Sequence, residues 1–331
     1  MKKFLPSVLF AFIITSGFSQ NFNAKRLDSL FQILAKNDKY MGSIALSENG
    51  KIIYTNAIGY DDIATSKKSD SNTKYRIGSI SKTFTTALIF KAIEEKKLDL
   101  NQTIEKYFPT VKNSNKITIS NLLNHRSGIH NITSNEDYSS WETQFQKKDK
   151  MIERIAAGKV EFEPDTKADY SNSNFILLTF ILEDIYKKPF SELLATKITK
   201  PLNLKNTYYG GKIDLSKKES NSYTFSGKWE KNTETDMSIP QGAGAIVSTP
   251  TDLTIFIEAL FTGKIISLEN VNQMKTIKDK YGMGLFQYPY FERKSYGHTG
   301  GIDGFRSVLS YFPDEKFSIA LTSNAMNYDN N

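Results

Sequence analysis

Segments with the alternation and the β-branched or aromatic content of strands fall at the two ends of this chain, and a long run of helix-like segments lies between them. Near the start, residues 42–48 and 51–58 flank Asn49-Gly50, a dipeptide suited to both central positions of a tight hairpin turn. Near the end, residues 294–300, 305–312 and 317–323 read as strands, the last two joined through Pro313-Asp314-Glu315-Lys316. Helical spacing of apolar residues occupies 23–37, 79–97, 119–125, 140–157, 174–186, 190–197 and 250–261. The last of these has Thr249 at the cap, Pro250 at the first position and Asp252 in the first turn. Consecutive antiparallel strands with the helices set apart predict an α+β fold. The economical arrangement is one antiparallel sheet of at least five strands, built from both chain ends, flanked by helices and carrying an inserted, mainly helical lobe. The sheet lobe then takes about 20–78 and 275–331, and the helical lobe about 79–274.

The first residues are a separate matter. Lys2 and Lys3 precede an apolar run over 4–15 broken only by Pro6 and Ser7, and Ser16-Gly17-Phe18-Ser19 supplies small residues for cleavage. This pattern predicts a signal peptide over 1–19, cut after Ser19, and a mature domain over 20–331. The apolar run is shorter than the ~20 residues of a spanning helix. The expectation is an exported chain, periplasmic or secreted, without a stable membrane anchor. There is no cysteine, which removes disulfides, thiol catalysis and a lipid-modified cysteine. The mature length is near the upper size for one hydrophobic core. The net charge is +7, with basic and acidic residues interspersed, so no nucleic-acid partner is expected and a small molecule or peptide is the anticipated substrate.

Chemistry concentrates in Arg76-Ile77-Gly78-Ser79-Ile80-Ser81-Lys82-Thr83-Phe84. Apolar residues Ile80, Phe84, Leu88, Ala92 and Ile93 recur at helical spacing behind Ser79, which is expected at the helix N-terminus, in a position that favours serine as a cap. Lys82, three residues on, shares its face. A serine hydroxyl needs a base to become a nucleophile, and a lysine serves if burial lowers its pKa. Ser71-Asn72-Thr73-Lys74 has the same spacing but no apolar helix behind it.

Two further motifs fall at places suited to a site. Tyr170-Ser171-Asn172 lies in a polar stretch without period, where a phenol can relay a proton and an amide can donate and accept. Tyr54-Thr55-Asn56 and Tyr328-Asp329-Asn330 share the spacing but sit in a hairpin and in the polar tail. His298-Thr299-Gly300-Gly301 ends a predicted strand, where glycines let a substrate backbone approach the strand edge. The N–H groups of Gly301 and Ser79 are candidates for an oxyanion hole, each donor worth about 3–4 kcal/mol in the transition state. His125 ends a short helix and is expected to bond backbone carbonyls, while His130 has no assigned role. Three scattered histidines without His-Glu-x-x-His predict no metal and no cofactor.

In this order and at these separations the three motifs resemble the serine β-lactamase and penicillin-binding superfamily, in its branch of class C β-lactamases, D-alanyl-D-alanine carboxypeptidases, D-aminopeptidases and related esterases. The resemblance extends over nearly the whole mature chain. It takes in residues 122–129, Pro201-Leu-Asn-Leu-Lys-Asn-Thr207, residues 242–249 with Asp252, and Tyr281-Gly-Met-Gly284. Class A β-lactamases use Ser-Asp-Asn as the middle motif, so the tyrosine argues for the class C-like branch. The resemblance implies a β-lactamase/transpeptidase-like fold. It also implies Ser79 as the acylated nucleophile, Lys82 as its base or the stabiliser of its base, and Tyr170 as the proton shuttle. Asn172 then positions the substrate amide and His298 lines the strand beside the scissile bond. Which of Lys82 and Tyr170 takes the first proton stays open, since two close groups titrate as a pair.

Departures from the family pattern bear on the substrate. Class C β-lactamases carry lysine where His298 stands, and a neutral imidazole grips a carboxylate less firmly. Arg306, one position past Phe305, is a candidate for the missing cation, although a strand side chain there can equally point away. Asp165 follows Pro164 where many relatives have glycine, without an evident function. Relatives usually end in a long helix on the sheet; this chain reaches Asn331 in a polar tail soon after the last strand, so either that helix is absent or the sequence is a fragment. The expected activity is that of an exported serine hydrolase cleaving an amide or ester in a D-amino-acid peptide or similar small substrate through an acyl-enzyme. A class C-like β-lactamase and a non-hydrolytic penicillin-binding sensor are the alternatives.

Overall fold

The computed structural model describes residues 22–327; the leader expected over 1–19 and Tyr328-Asp329-Asn330 of the tail lie outside the described residues. Helix α1 (Ala24–Lys36) starts at Asn23, whose side chain accepts the Arg26 N–H, and buries Phe31. Strands β1 (Tyr40–Glu48) and β2 (Lys51–Ile58) form the hairpin that Asn49-Gly50 predicts. Both turn residues have positive φ, +50° and +78°, as a primed turn requires. A 3₁₀ turn, Gly78–Ile80, leads into α2 (Ser81–Glu94), followed by α3 (Ile119–Leu123), α4 (Lys148–Ala157), α5 (Asn172–Tyr186) and α6 (Phe190–Leu194). Strands β3 (Tyr223–Phe225) and β4 (Trp229–Lys231) come next, then α7 (Pro250–Phe261), with Thr249 as cap and Pro250 leading the helix, and α8 (Leu268–Lys275). The described chain closes with β5 (Phe286–Tyr290), β6 (Arg293–Ile302), β7 (Phe305–Phe312) and β8 (Phe317–Met326).

These strands make one eight-stranded sheet in the order β5-β6-β7-β8-β1-β2, with β3 joined to the end of β8 and β4 to β3. The neighbouring strands from the two chain ends, β1 and β8, run antiparallel with Ile44 opposite Leu321. On one face α1 packs Phe31 against Tyr40, Ile44, Leu46 and Tyr54, with Ile319 and Leu321 beside them. On the other, α7 crosses β1, β7 and β8, and the main core spreads from there through α2 and α5. Among the described residues no helix is long and apolar enough to cross a membrane.

The structure departs from expectation at several places, each for a tertiary reason. The inserted stretch also carries strands: β3 and β4 lie within it, and Ile246–Ser248 joins Tyr75–Arg76 and Tyr208–Tyr209 in a small second sheet. Helix over 140–157 is confined to α4, because Trp141 is buried and the guanidinium of Arg154 lies 4.2 Å from its ring, which holds the preceding segment as an irregular loop. The segment from Phe190 continues as a π-helical turn over Ala195–Thr199. Helix α8 and strand β5 carry no strong period of their own and exist through their packing and pairing. Helix α2 is buried on nearly all sides, its threonines included, each of which finds a carbonyl: Thr83 donates to Gly284, Thr85 to Gly242 and Thr86 to Lys82.

Candidate active site

Ser79 does not cap the helix. It sits in the middle of the 3₁₀ turn, and Ile80 occupies the cap position of α2 without a side-chain hydrogen bond. The turn is imposed by Gly78, whose φ is +51° and whose missing Cβ would fall 2.7 Å from the Gly301 nitrogen. The close approach of these two backbones sets the Ser79 turn against the end of β6. The predicted proximity of Ser79 and Lys82 still holds, because the helix starts between them.

Lys82 is fully buried, and its Nζ reaches three oxygens: Ser79 Oγ at 2.9 Å, Asn172 Oδ1 at 2.7 Å and the Ala243 carbonyl at 2.8 Å. No carboxylate is among them, and burial pushes the Lys82 pKa well below that of an ordinary lysine. This tripod suits a neutral amine: two N–H groups donate to Asn172 and Ala243, leaving the lone pair for the Ser79 proton. Tyr170 lines the same cavity as Ser79, and Lys82 Nζ lies 4.9 Å from the Tyr170 ring centre. Burial pushes the Tyr170 pKa above its ordinary value. The two groups are therefore driven apart, lysine toward amine and tyrosine toward phenol.

Asn172 opens α5 rather than lying in the loop. Its amide is largely engaged within the protein: besides accepting from Lys82, it donates through Nδ2 to Thr133 Oγ1 at 3.0 Å, and its backbone N–H donates to Asn131 Oδ1 at 3.0 Å. Its first task is to hold Lys82.

Strand β6 supplies the opposite wall. It pairs with β5 only as far as Gly297, opposite Phe286, so that 298–302 present a strand edge on that side. His298 is 2 % exposed, its Nδ1 donates to the Thr299 carbonyl at 2.5 Å, and its ring packs 4.5 Å from Phe286. Burial, reinforced by Lys82, pushes its pKa down to about 3, so it brings no charge at neutral pH. The expected role of the glycines needs correcting. A Cβ at Gly300 would strike the Ile77 carbonyl at 2.0 Å, so this glycine makes room for the Ser79 turn; one at Gly301 would meet only ordinary contact with Arg306.

Arg306 is not among the residues lining the cavity at Ser79; it lines an adjoining one of about 520 Å³ that shares 299–301. It lies opposite Gly301 on the outward face of β7, and its Nη1 donates to the carbonyls of Asp303 and Phe305. Strand alternation sends it to the face away from Ser79. Asp165 has a structural part: with Asp279 it pairs the buried Arg126, and Lys278 joins it at 2.7 Å, tying the segment before Tyr281 to the Tyr170 loop.

The cavity holding these groups measures about 360 Å³ and is lined by Ser79, Tyr170, Tyr281, Phe286, His298 and 299–301. A larger one, about 870 Å³, is lined by the Arg76–Glu234 pair and by none of Ser79, Lys82, Tyr170, Asn172 and His298. Sequence reasoning missed the aromatic wall of Tyr281 and Phe286, the Ala243 carbonyl and His125, which packs against Tyr170. Tyr281, Ala243 and His125 lay in segments already singled out and Phe286 in none, and nothing local marks a side chain as facing a remote cleft.

The chain as a whole has counterparts among known proteins. A profile of the Beta-lactamase family matches residues 30–330, and the chain belongs to that family. It is a serine hydrolase. A teichoic acid D-alanine hydrolase of Staphylococcus aureus strain MRSA252 is 27% identical over 308 residues, covering 91% of this chain and 73% of the relative. Among solved structures, a D-amino acid amidase from Ochrobactrum anthropi SV3 aligns with TM-score 0.81 and 24% identity, covering 92% of each chain. A D-stereospecific amidohydrolase from Streptomyces sp. gives 0.78 and 25%, covering 92% of this chain and 95% of that one.

Proposed function

We propose that this protein is an exported serine hydrolase that forms an acyl-enzyme on Ser79 and cleaves an ester or amide of a D-amino-acyl group. The observation that carries the reading is the Ser79 hydroxyl bonded by the carboxylate-free, buried amine of Lys82 in the cavity that Tyr170 also lines. Lys82 takes the hydroxyl proton as Ser79 Oγ bonds to the acyl carbon, and the N–H groups of Ser79 and Gly301 hold the oxyanion. As the bond to the leaving group breaks, Tyr170 gives its proton to the departing oxygen or nitrogen, and the Lys82 ammonium replaces that proton. Water then attacks the acyl carbon, Lys82 accepts its proton, and the same proton passes to Ser79 Oγ as its bond to the acyl carbon breaks.

The character of the cleft favours this substrate class over those bearing a carboxylate near the scissile bond. No Lys or Arg is among its described lining residues, and His298 is neutral. That weighs against a β-lactamase or a D-alanyl-D-alanine carboxypeptidase, both of whose substrates carry such a carboxylate. The D-alanine hydrolase and D-stereospecific amidohydrolase relatives support a D-aminoacyl group as the part transferred to Ser79. Export rests on the leader pattern over 1–19.

The test is turnover of D-alanine methyl ester, D-alanine amide, a D-Ala-D-Ala peptide and a chromogenic cephalosporin by the purified protein, with intact mass recorded during the reaction. Hydrolysis of the first two, a transient acyl mass lost in S79A, and slow turnover of the last two are expected. Rapid cephalosporin turnover, or a stable adduct without turnover, refutes the reading. For export, the secreted protein should begin at Gln20; a retained leader refutes it.

A further inference from the structure

His125 makes an unusual set of contacts around Tyr170. Its carbonyl accepts the Asp169 N–H at 2.9 Å, and its Nδ1 accepts the Ser171 N–H at 3.2 Å, so a single residue grips the backbone on both sides of Tyr170. Its ring lies against the Tyr170 ring, centroids 4.4 Å apart and planes 31° from parallel. Tyr281 meets the other edge of the imidazole at 5.1 Å, and Phe175 closes the pocket at 5.4 Å. The residue holds φ at +60°, a left-handed region that Asn, Asp and His enter more readily than other side chains. His125 and Ser171 are each 2 % exposed, so water does not readily replace the Ser171 hydrogen bond.

We infer that His125 is a positioning residue for Tyr170, fixing where its hydroxyl stands when the leaving group departs. The inference rests on the proposed function, because it concerns the proton that Tyr170 delivers there. The chemistry of the side chain fits the task. Nδ1 must be unprotonated to accept from Ser171, and burial together with the nearby Lys82 holds the His125 pKa well below that of an ordinary histidine. The ring therefore carries no charge that could attract the phenolate and trap it. A phenylalanine would keep the stacking surface and lose the acceptor; an asparagine would tolerate the backbone angle and lose the ring. Nothing in the contacts of His125 brings it to the cavity wall, so it acts through Tyr170 and not on substrate.

The discriminating experiment varies the leaving group. A p-nitrophenolate departs without a proton, whereas methoxide or an amide nitrogen needs one, so misplacing Tyr170 penalises only the latter. The proteins are the wild type, Y170F, H125N and H125F, assayed on a D-alanyl p-nitrophenyl ester and on D-alanine methyl ester, with thermal melts recorded for each. Displacing a catalytic group by an ångström costs on the order of 100-fold in rate. H125N is expected to lose about that factor in kcat on the methyl ester, with KM changed less than about threefold and the p-nitrophenyl rate within about fivefold of wild type. H125F should follow the same pattern; where it does not fold, H125N carries the test alone. Equal losses on both substrates, or none, while Y170F shows the selective loss, overturn the role of His125 and leave the proposed function standing. If the wild type turns over neither ester, the proposed function fails and the inference with it.

Discussion

Replacing Lys82 by methionine gives a prediction in which stability and activity move for the same reason. Lys82 is fully buried without a counter-charge, and burial lowers its pKa. The unfolded chain binds a proton on this side chain up to about pH 10.4, whereas the folded chain sheds it at lower pH. Between those two values the unfolded state holds more protons, so stability increases with pH and is lost progressively as pH falls from about 10.4 toward the folded value. One proton corresponds to at most about 1.4 kcal/mol per pH unit. Methionine has no proton to lose, so K82M should lack this slope. Urea unfolding of both proteins from pH 7 to 9 should show the wild type gaining up to about 2.7 kcal/mol relative to K82M across the interval, with other groups cancelling in the difference. K82M should also lose a factor of about 10²–10⁴ or more in kcat, as expected for removal of a general base. Parallel stability curves would mean that Lys82 stays protonated in the fold, and the assignment of the neutral amine as base would be refuted.

Three other substitutions probe how the site is held. G78A places a Cβ 2.7 Å from the Gly301 nitrogen at a φ of +51°, so it should cost about 1–3 kcal/mol in chemical unfolding and lower kcat more than KM is raised. R76M leaves Asp303, whose side chain is 3 % exposed and which Arg76 contacts at 2.8 Å, without its cation; a loss of about 3–5 kcal/mol is expected by urea denaturation. R306A should leave kcat/KM for carboxylate-bearing and carboxylate-free esters within about twofold of wild type, because the guanidinium is turned to the far side of the strand and bonds its own turn; a rise in KM confined to the carboxylate substrates would contradict that placement.

Much of this molecule is legible one segment at a time. Asn49-Gly50 dictates its hairpin through backbone sterics, Thr249-Pro250 starts α7 by the same short-range rules, and Ser79 stands near Lys82 because a 3₁₀ turn running into α2 spans the three residues between them. The α+β class follows from the order of such segments along the chain. Other features have no local signal. The irregular loop before α4, strands β3 to β5 and the outward turn of Arg306 are settled by packing and register with distant partners. So is the chemistry of Lys82: its two hydrogen-bond acceptors, Asn172 and Ala243, lie 90 and 161 residues away in sequence. A side chain's period and spacing are properties of the chain alone, but whether an amine is a cation or a base depends on the water it has lost, and only the closed fold removes that water.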